Sequence, residues 1–231
     1  KNKLKDCFSE LTILDADGKP FCEAYSGKDY KQVSLSALHD YTYMAFVCVE
    51  DKRFFSHKGI DVKRLVGATL ANVKSGSFKE GASTISQQLI KNTHLTSGKT
   101  LKRKLNEMII ARELERNYSK NEILEMYLNT IYFGRRAYGI ESAAEVYFGK
   151  SATELTLSES AILAGMIKAP NVYAPDKDAA KCLNRRDVVL GLMQKQGVIG
   201  QEEFALAKSE EIKASAGTNY RPSPYSERVI K

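Results

Sequence analysis

Val47-Cys48-Val49-Glu50-Asp51 ends an apolar run that begins at Met44, and it ends on two adjacent carboxylates. A basic and aromatic segment containing Gly59 follows as far as Asp61. A carboxylate at the rim of a buried segment is partly desolvated, which makes it more basic while leaving it within reach of a substrate. Those are the requirements of a general base. A second acid, Glu107, stands in Arg103-Lys104-Leu105-Asn106-Glu107, with cations three and four residues before it. In a third segment, running from Gly81 to Asn92, Thr84, Gln87, Gln88 and Lys91 share one helical face. That face is a row of hydrogen-bonding groups ending in a cation. Ser83 and Thr84 add hydroxyls at the start of this helix, a position that favours anions. Each segment also has a plainer reading. The first is a helix end with solvated charges, the second a surface ladder worth ~0.2–0.5 kcal/mol per ion pair. The third is a capped amphipathic helix with a polar outer face. Taken singly, the residue types leave both readings open.

The elements that must position these residues are nearly all helical after Ser34, which reads as the N-cap of a helix running into Glu50. Asp61 caps the next, where Val62, Leu65, Val66, Thr69, Leu70 and Val73 follow helical spacing. A loop from Ser75 to Gly81 precedes Thr84 and Gln87, whose capping-box spacing opens a helix through Lys91. Thr96-Ser97-Gly98 is a break. A long helix from Thr100 to about Arg116 then carries Leu101, Leu105, Met108 and Ile109 on one side. Ser119 with Glu122 and Thr156 with Glu159 open two more, separated by a turn from Tyr132 to Gly139. Ala169-Pro170 stops the second. Two final helices run from about Asp178 to Gly197 and over 201–209. Ahead of all these, residues 11–14 and 20–25 flank a turn ending in Asp17-Gly18, a β-hairpin signal. The class is mainly α with a small N-terminal hairpin.

Length and composition bound the answer. The 231 residues can bury a proper core, and 27% charged with 43% hydrophobic residues is globular composition. The net charge of +7 suits phosphate-bearing ligands, anionic membrane surfaces or nucleic acid. No nucleic-acid motif or groove-reading helix accompanies it. No apolar run reaches the ~18 residues needed to span a bilayer. The cysteines, Cys7, Cys22, Cys48 and Cys182, show no CxxC and no metal-ligand spacing. The hairpin register puts Cys22 opposite about Leu11, which disfavours a bond to Cys7. The chain begins at Lys1 without Met, and its tail carries Pro222 and Pro224. It therefore reads as a piece of something longer: a junction segment over 1–33, a domain over 34–216 and a linker over 217–231.

Together the three segments resemble the peptidoglycan glycosyltransferase domain of class A penicillin-binding proteins and their monofunctional relatives, glycosyltransferase family 51. Glu50-Asp51-x-x-Phe54-x-x-His57-x-Gly59-x-Asp61 is similar to that family's first motif. Gly81-x-Ser83-Thr84-x-x-Gln87-Gln88-x-x-Lys91-Asn92 is similar to its second, and Arg103-Lys104-x-x-Glu107 to its third. Ile123-Leu124-Glu125-x-Tyr127-Leu128-Asn129 and Ala161-x-Leu163-Ala164-Gly165 agree as well. The resemblance implies a lysozyme-like helical domain that polymerises lipid II into a growing glycan strand at the extracytoplasmic face of a bacterial cell membrane. An anchor helix would precede Lys1 and a transpeptidase domain would follow Lys231.

Carried over by position, Glu50 is the general base acting on the acceptor sugar's 4-hydroxyl. Glu107, Lys91, Arg103 and Lys104 manage the donor's diphosphate, with Lys99 nearby. Ser83, Thr84, Gln87, Gln88 and Asn92 line the sugar and phosphate sites. Asp51, Phe54 and His57 shape the first motif's loop, His57 either as a ligand contact or as loop packing. Gly67 and Lys99 depart from the family, whose members often carry Arg there. A lipid diphosphate leaves as a stabilised anion, so fixed cations replace the strong acid a glycosidase needs. Single displacement opposite the diphosphate inverts the anomeric centre, giving a β-1,4 linkage from an α-linked donor. No cofactor is required by the sequence, and Mg2+ or Mn2+ at the diphosphate is left open. Two other classes stay in play: a lytic hydrolase of the same glycan, and a non-catalytic module binding lipid II or the membrane surface.

Overall fold

The computed structural model describes residues 11–14, 20–24, 29–75, 83–94 and 101–212. In chain order the helices are α1 (Asp40–Glu50), α2 (Val62–Ser75), α3 (Ile85–His94), α4 (Leu101–Asn117), α5 (Lys120–Leu128), α6 (Ile140–Phe148), α7 (Leu157–Met166), α8 (Pro170–Tyr173), α9 (Ala179–Lys195) and α10 (Gln201–Ser209). Strands β1 (Leu11–Leu14) and β2 (Pro20–Ala24) form the expected antiparallel pair. The turn between them, Cys7, Lys99, the breaks at 76–82 and 95–100 and the tail beyond Ile212 lie outside the described residues.

Cys22 pairs with Ile13, not Leu11. Phe21 is the extra residue of a bulge next to Pro20, and a bulge moves the partners of one strand along the other. A second pair was not expected: β3 (Asp29–Tyr30) runs parallel to β4 (Ala137–Tyr138), inside the Tyr132–Gly139 turn.

The helix expected from Ser34 to Glu50 is two pieces. A single 3-10 turn, Leu35–Ala37, is followed by extended backbone through His39, and α1 begins at Asp40. Ser34 makes no side-chain cap, because a distant carboxylate does that work. Glu125 accepts from the Leu35 amide at 2.7 Å and from the Ser34 hydroxyl at 3.3 Å. The capping boxes at Ser119/Glu122 and Thr156/Glu159 are present as read.

Helix α1 is the axis of the core. Ala45, Phe46, Val47 and Cys48 are buried, and the helix packs against α7 and α9. Helix α3 packs instead on α4 and α5. The C-terminal carbonyls of a helix need outside partners. Here the Gln196 amide donates to the Cys48 carbonyl at 3.1 Å, and the Arg64 guanidinium donates to that of Glu50. The end of α1 is thereby pinned from two directions.

Several apolar residues of the stripes read on α2 and α4 face outward. Leu105 and Ile109 on α4 are 60% and 66% exposed, and Val62 and Val66 on α2 are 63% and 54% exposed. Helix α4 buries Glu107, Ala111 and Leu114 instead. Gly59 fixes how closely the loop before α2 approaches α4. Its φ is +85°, and a Cβ there would sit 2.8 Å from the Ala111 carbonyl oxygen.

Candidate active site

Glu50 occupies the last position of α1 and is half-buried. The Gln88 side-chain amide donates to Glu50 Oε2 at 2.7 Å. Behind it the Tyr127 hydroxyl donates to Gln88 Oε1 at 3.2 Å. Among the described residues Glu50 Oε1 has no hydrogen-bond partner, so one oxygen is held and the other is available.

Asp51, the next residue, is enclosed. It is 1% exposed, and its Oδ2 lies 2.8 Å from His57 Nε2 and 3.1 Å from the Ile85 amide. The carboxylate thus ties the end of α1 to the start of α3 and to the intervening loop. His57 is enclosed as well, with its Nδ1 3.9 Å from Glu115. Glu115 is in turn held by Lys120 at 2.7 Å and by the Ser86 hydroxyl. Phe54 is fully buried, with the Lys120 ammonium 4.3 Å from its ring centroid.

The second motif divides into braces and open groups. Thr84 is wholly buried: its hydroxyl donates to the Gly59 carbonyl at 2.7 Å and accepts from the Gln87 amide at 3.2 Å. Gln87 returns the bond, accepting from the Thr84 amide at 3.1 Å, which completes the expected capping box. Both side chains are buried in this arrangement, Gln87 being 2% exposed. Ser83 and Gln88 are half-buried, and Lys91 and Asn92 are exposed further along α3.

The cations lie on the other side of the same helix start. Lys104 donates to Ser83 Oγ at 2.8 Å and reaches Gln87 Oε1 at 3.5 Å. It is also paired with Glu107, which is 2% exposed. The carboxylate of Glu107 thus faces the Lys104 ammonium from the buried side. Arg103 sits half-buried one residue before Lys104. The first turn of α3 is common ground: Gln88 reaches Glu50, while its neighbour Gln87 reaches Lys104. Glu50 and the cationic group consequently share one region of the molecule.

Sequence reading gave no site role to three residues here. Arg64, Tyr127 and Glu115 reach the motif residues Glu50, Gln88 and His57 from 14, 39 and 58 positions away respectively. No periodicity marks such partners. Gly67 is exposed on α2, with no heavy atom within 4 Å of a Cβ placed there. No group of three or more His, Cys, Asp or Glu side chains that would hold a metal ion occurs among the described residues. Among the described residues, the carboxylate that touches Lys104 is Glu107, and it is paired with that ammonium. No described helix is long and apolar enough to cross a membrane.

The family model described as Transglycosylase matches residues 17–194. The chain is 47% identical over 214 residues to "Penicillin-binding protein 1A/1B" of Bacillus subtilis, covering 92% of this chain and 23% of that one. It is 40% identical over 205 residues to "Penicillin-binding protein 1A" of Escherichia coli, covering 89% and 24%. Among solved structures, penicillin-binding protein 1A from Haemophilus influenzae matches with a TM-score of 0.52 at 28% identity, over 96% of this chain and 23% of that one. The chain spans about a quarter of the length of these relatives.

Proposed function

Because the chain belongs to the transglycosylase family, we propose that it is a peptidoglycan glycosyltransferase domain that polymerises lipid II, with Glu50 as the general base. The observation that carries this reading is the Glu50 carboxylate, held on one oxygen by Gln88 2.7 Å away, on the same helix start that holds Lys104. The free oxygen takes the proton of the acceptor's 4-hydroxyl. The 4-oxygen bonds to the donor's anomeric carbon from the face opposite the diphosphate. The bond from that carbon to the phosphate oxygen breaks, and the lipid diphosphate leaves with its electron pair. Lys104, with Arg103 and Lys91, stabilises the departing charge.

A lipid-linked donor requires a membrane surface. The outward apolar residues Val62, Val66, Leu105 and Ile109 give α2 and α4 a face suited to one, and the net charge of +7 suits anionic headgroups. We place the domain at the extracytoplasmic face of the cell membrane, in a longer protein with a transpeptidase domain after it. The experiment is incubation with labelled lipid II, products resolved by size, with and without a chelator. Long glycan and free lipid diphosphate are expected. Release of reducing ends from preformed glycan, without lipid II consumption, would identify a lytic enzyme instead. Loss of product on chelation would show that a divalent ion accompanies the diphosphate.

A further inference from the structure

Tyr127 lies in the last turn of α5, and nothing about glycosyl transfer needs a phenol there. Its ring is wholly buried, and its hydroxyl has one hydrogen-bond partner among the described residues, Gln88 Oε1. Gln88 is an amide, and an amide can face a carboxylate with either end. With the NH2 toward Glu50, as here, the contact is a 2.7 Å donation to an ionised base. Reversed, it would set two acceptor oxygens against each other, tolerable only after Glu50 takes up a proton. The Tyr127 hydroxyl has a hydrogen to donate and needs an acceptor, so it selects the first orientation.

We propose that Tyr127 is a positioning residue for glycosyl transfer: through Gln88 it fixes the direction of the hydrogen bond that Glu50 receives, and so keeps that carboxylate in its proton-accepting form. The inference rests on Glu50 being the base. The charges facing this chain of groups come from every side. Asp51 is the neighbour of Glu50, and His57 and Glu115 lie behind it. Arg64 from α2 reaches the Glu50 carbonyl. Lys104 and Glu107 of α4 are joined to Gln87, next to Gln88. Burial, followed by the charges of Glu50 and Asp51, pushes the Tyr127 phenol well above its ordinary range, so it stays a donor at any working pH.

The test is a double-mutant cycle of Tyr127→Phe and Gln88→Ala, with lipid II polymerisation followed across pH and melting temperatures taken for all four proteins. Tyr127→Phe is expected to lower kcat/KM about tenfold near neutral pH, the size of one hydrogen bond. The loss is expected in kcat with KM nearly parental, because Tyr127 is wholly buried and acts only through Gln88. In the Gln88→Ala background the same change is expected to have no further effect. Equal losses in both backgrounds, or a parental kcat for Tyr127→Phe, would overturn the proposal. If the Phe variant melts early, proton NMR of the unaltered protein decides. A protected Tyr127 hydroxyl proton close in space to the Gln88 side chain supports the proposal, and a hydroxyl pointing elsewhere refutes it. Failure of the base assignment itself looks different, because Glu50→Gln would then retain activity whatever Tyr127 does.

Discussion

Replacing Thr84 with Val keeps the branched shape and removes one oxygen from a site with no access to solvent. Two bonds go with it: the 2.7 Å donation to the Gly59 carbonyl and the 3.2 Å cap on the Gln87 amide. The lost N-cap costs ~1 kcal/mol. The stranded, buried Gly59 carbonyl costs about 1–3 kcal/mol more. Gly59 cannot turn elsewhere, since it lies against the backbone of Ala111. The sum is about 3 kcal/mol, and at about 2–4 °C per kcal/mol for a chain of this size the midpoint should fall by about 6–12 °C. Circular dichroism melts of the parent, Thr84→Val and Thr84→Ser measure it, with the Ser variant close to the parent. A midpoint within 2 °C of the parent for Thr84→Val, combined with a loss of polymerisation, would refute the reasoning. It would mean that the hydroxyl meets substrate rather than Gly59.

Other perturbations test other parts of the structure. Burial pushes the Asp61 carboxyl up, but the Arg53 side chain and the Arg64 amide outweigh it and hold it below its ordinary value. A carboxyl depressed in the folded state stabilises above its unfolded value of about 3.9, and that stability is lost as pH falls through the folded value. Asp61→Asn should therefore lower the urea midpoint at pH 7, and the gap from the parent should close as pH falls below the ordinary carboxylate range. Gly67 lies in the interior of α2 with open space around it. Gly67→Ala should raise stability by about 0.5–1 kcal/mol, and an unchanged or lower urea midpoint would contradict that. Val66→Glu and Ile109→Glu, at two outward positions, should each weaken sedimentation with anionic phospholipid vesicles about tenfold, from a loss of about 1.5 kcal/mol of apolar burial. Unaltered sedimentation would remove α2 and α4 from the membrane face.

What was legible in the sequence follows from the range of the interactions. The capping boxes at Thr84/Gln87, Ser119/Glu122 and Thr156/Glu159 span three residues each, and all three form. The apolar stripes of α2 and α4 were equally legible as stripes. Periodicity says which residues share a side, not whether that side meets core or solvent, and here Val66 and Ile109 face out. The break before α1 was hidden because Glu125, about 90 residues away, takes the Leu35 amide that a local cap would have served. The two-residue strands β3 and β4 are too short to carry any pattern. At the site, residue types pointed to Glu50 as a base. They could not show that Asp51, Thr84 and Glu107 are buried, since burial is set by partners on other elements.

The central claim is that the Glu50 carboxylate activates a sugar hydroxyl while Lys104 and its neighbours hold the leaving diphosphate. The most direct measurement is lipid II turnover by Glu50→Gln, which nearly preserves side-chain volume and keeps an oxygen to accept from Gln88. Turnover should fall by at least ~10²–10⁴-fold with the melting temperature nearly unchanged. Polymerisation at the parental rate by a folded Glu50→Gln protein would contradict the account.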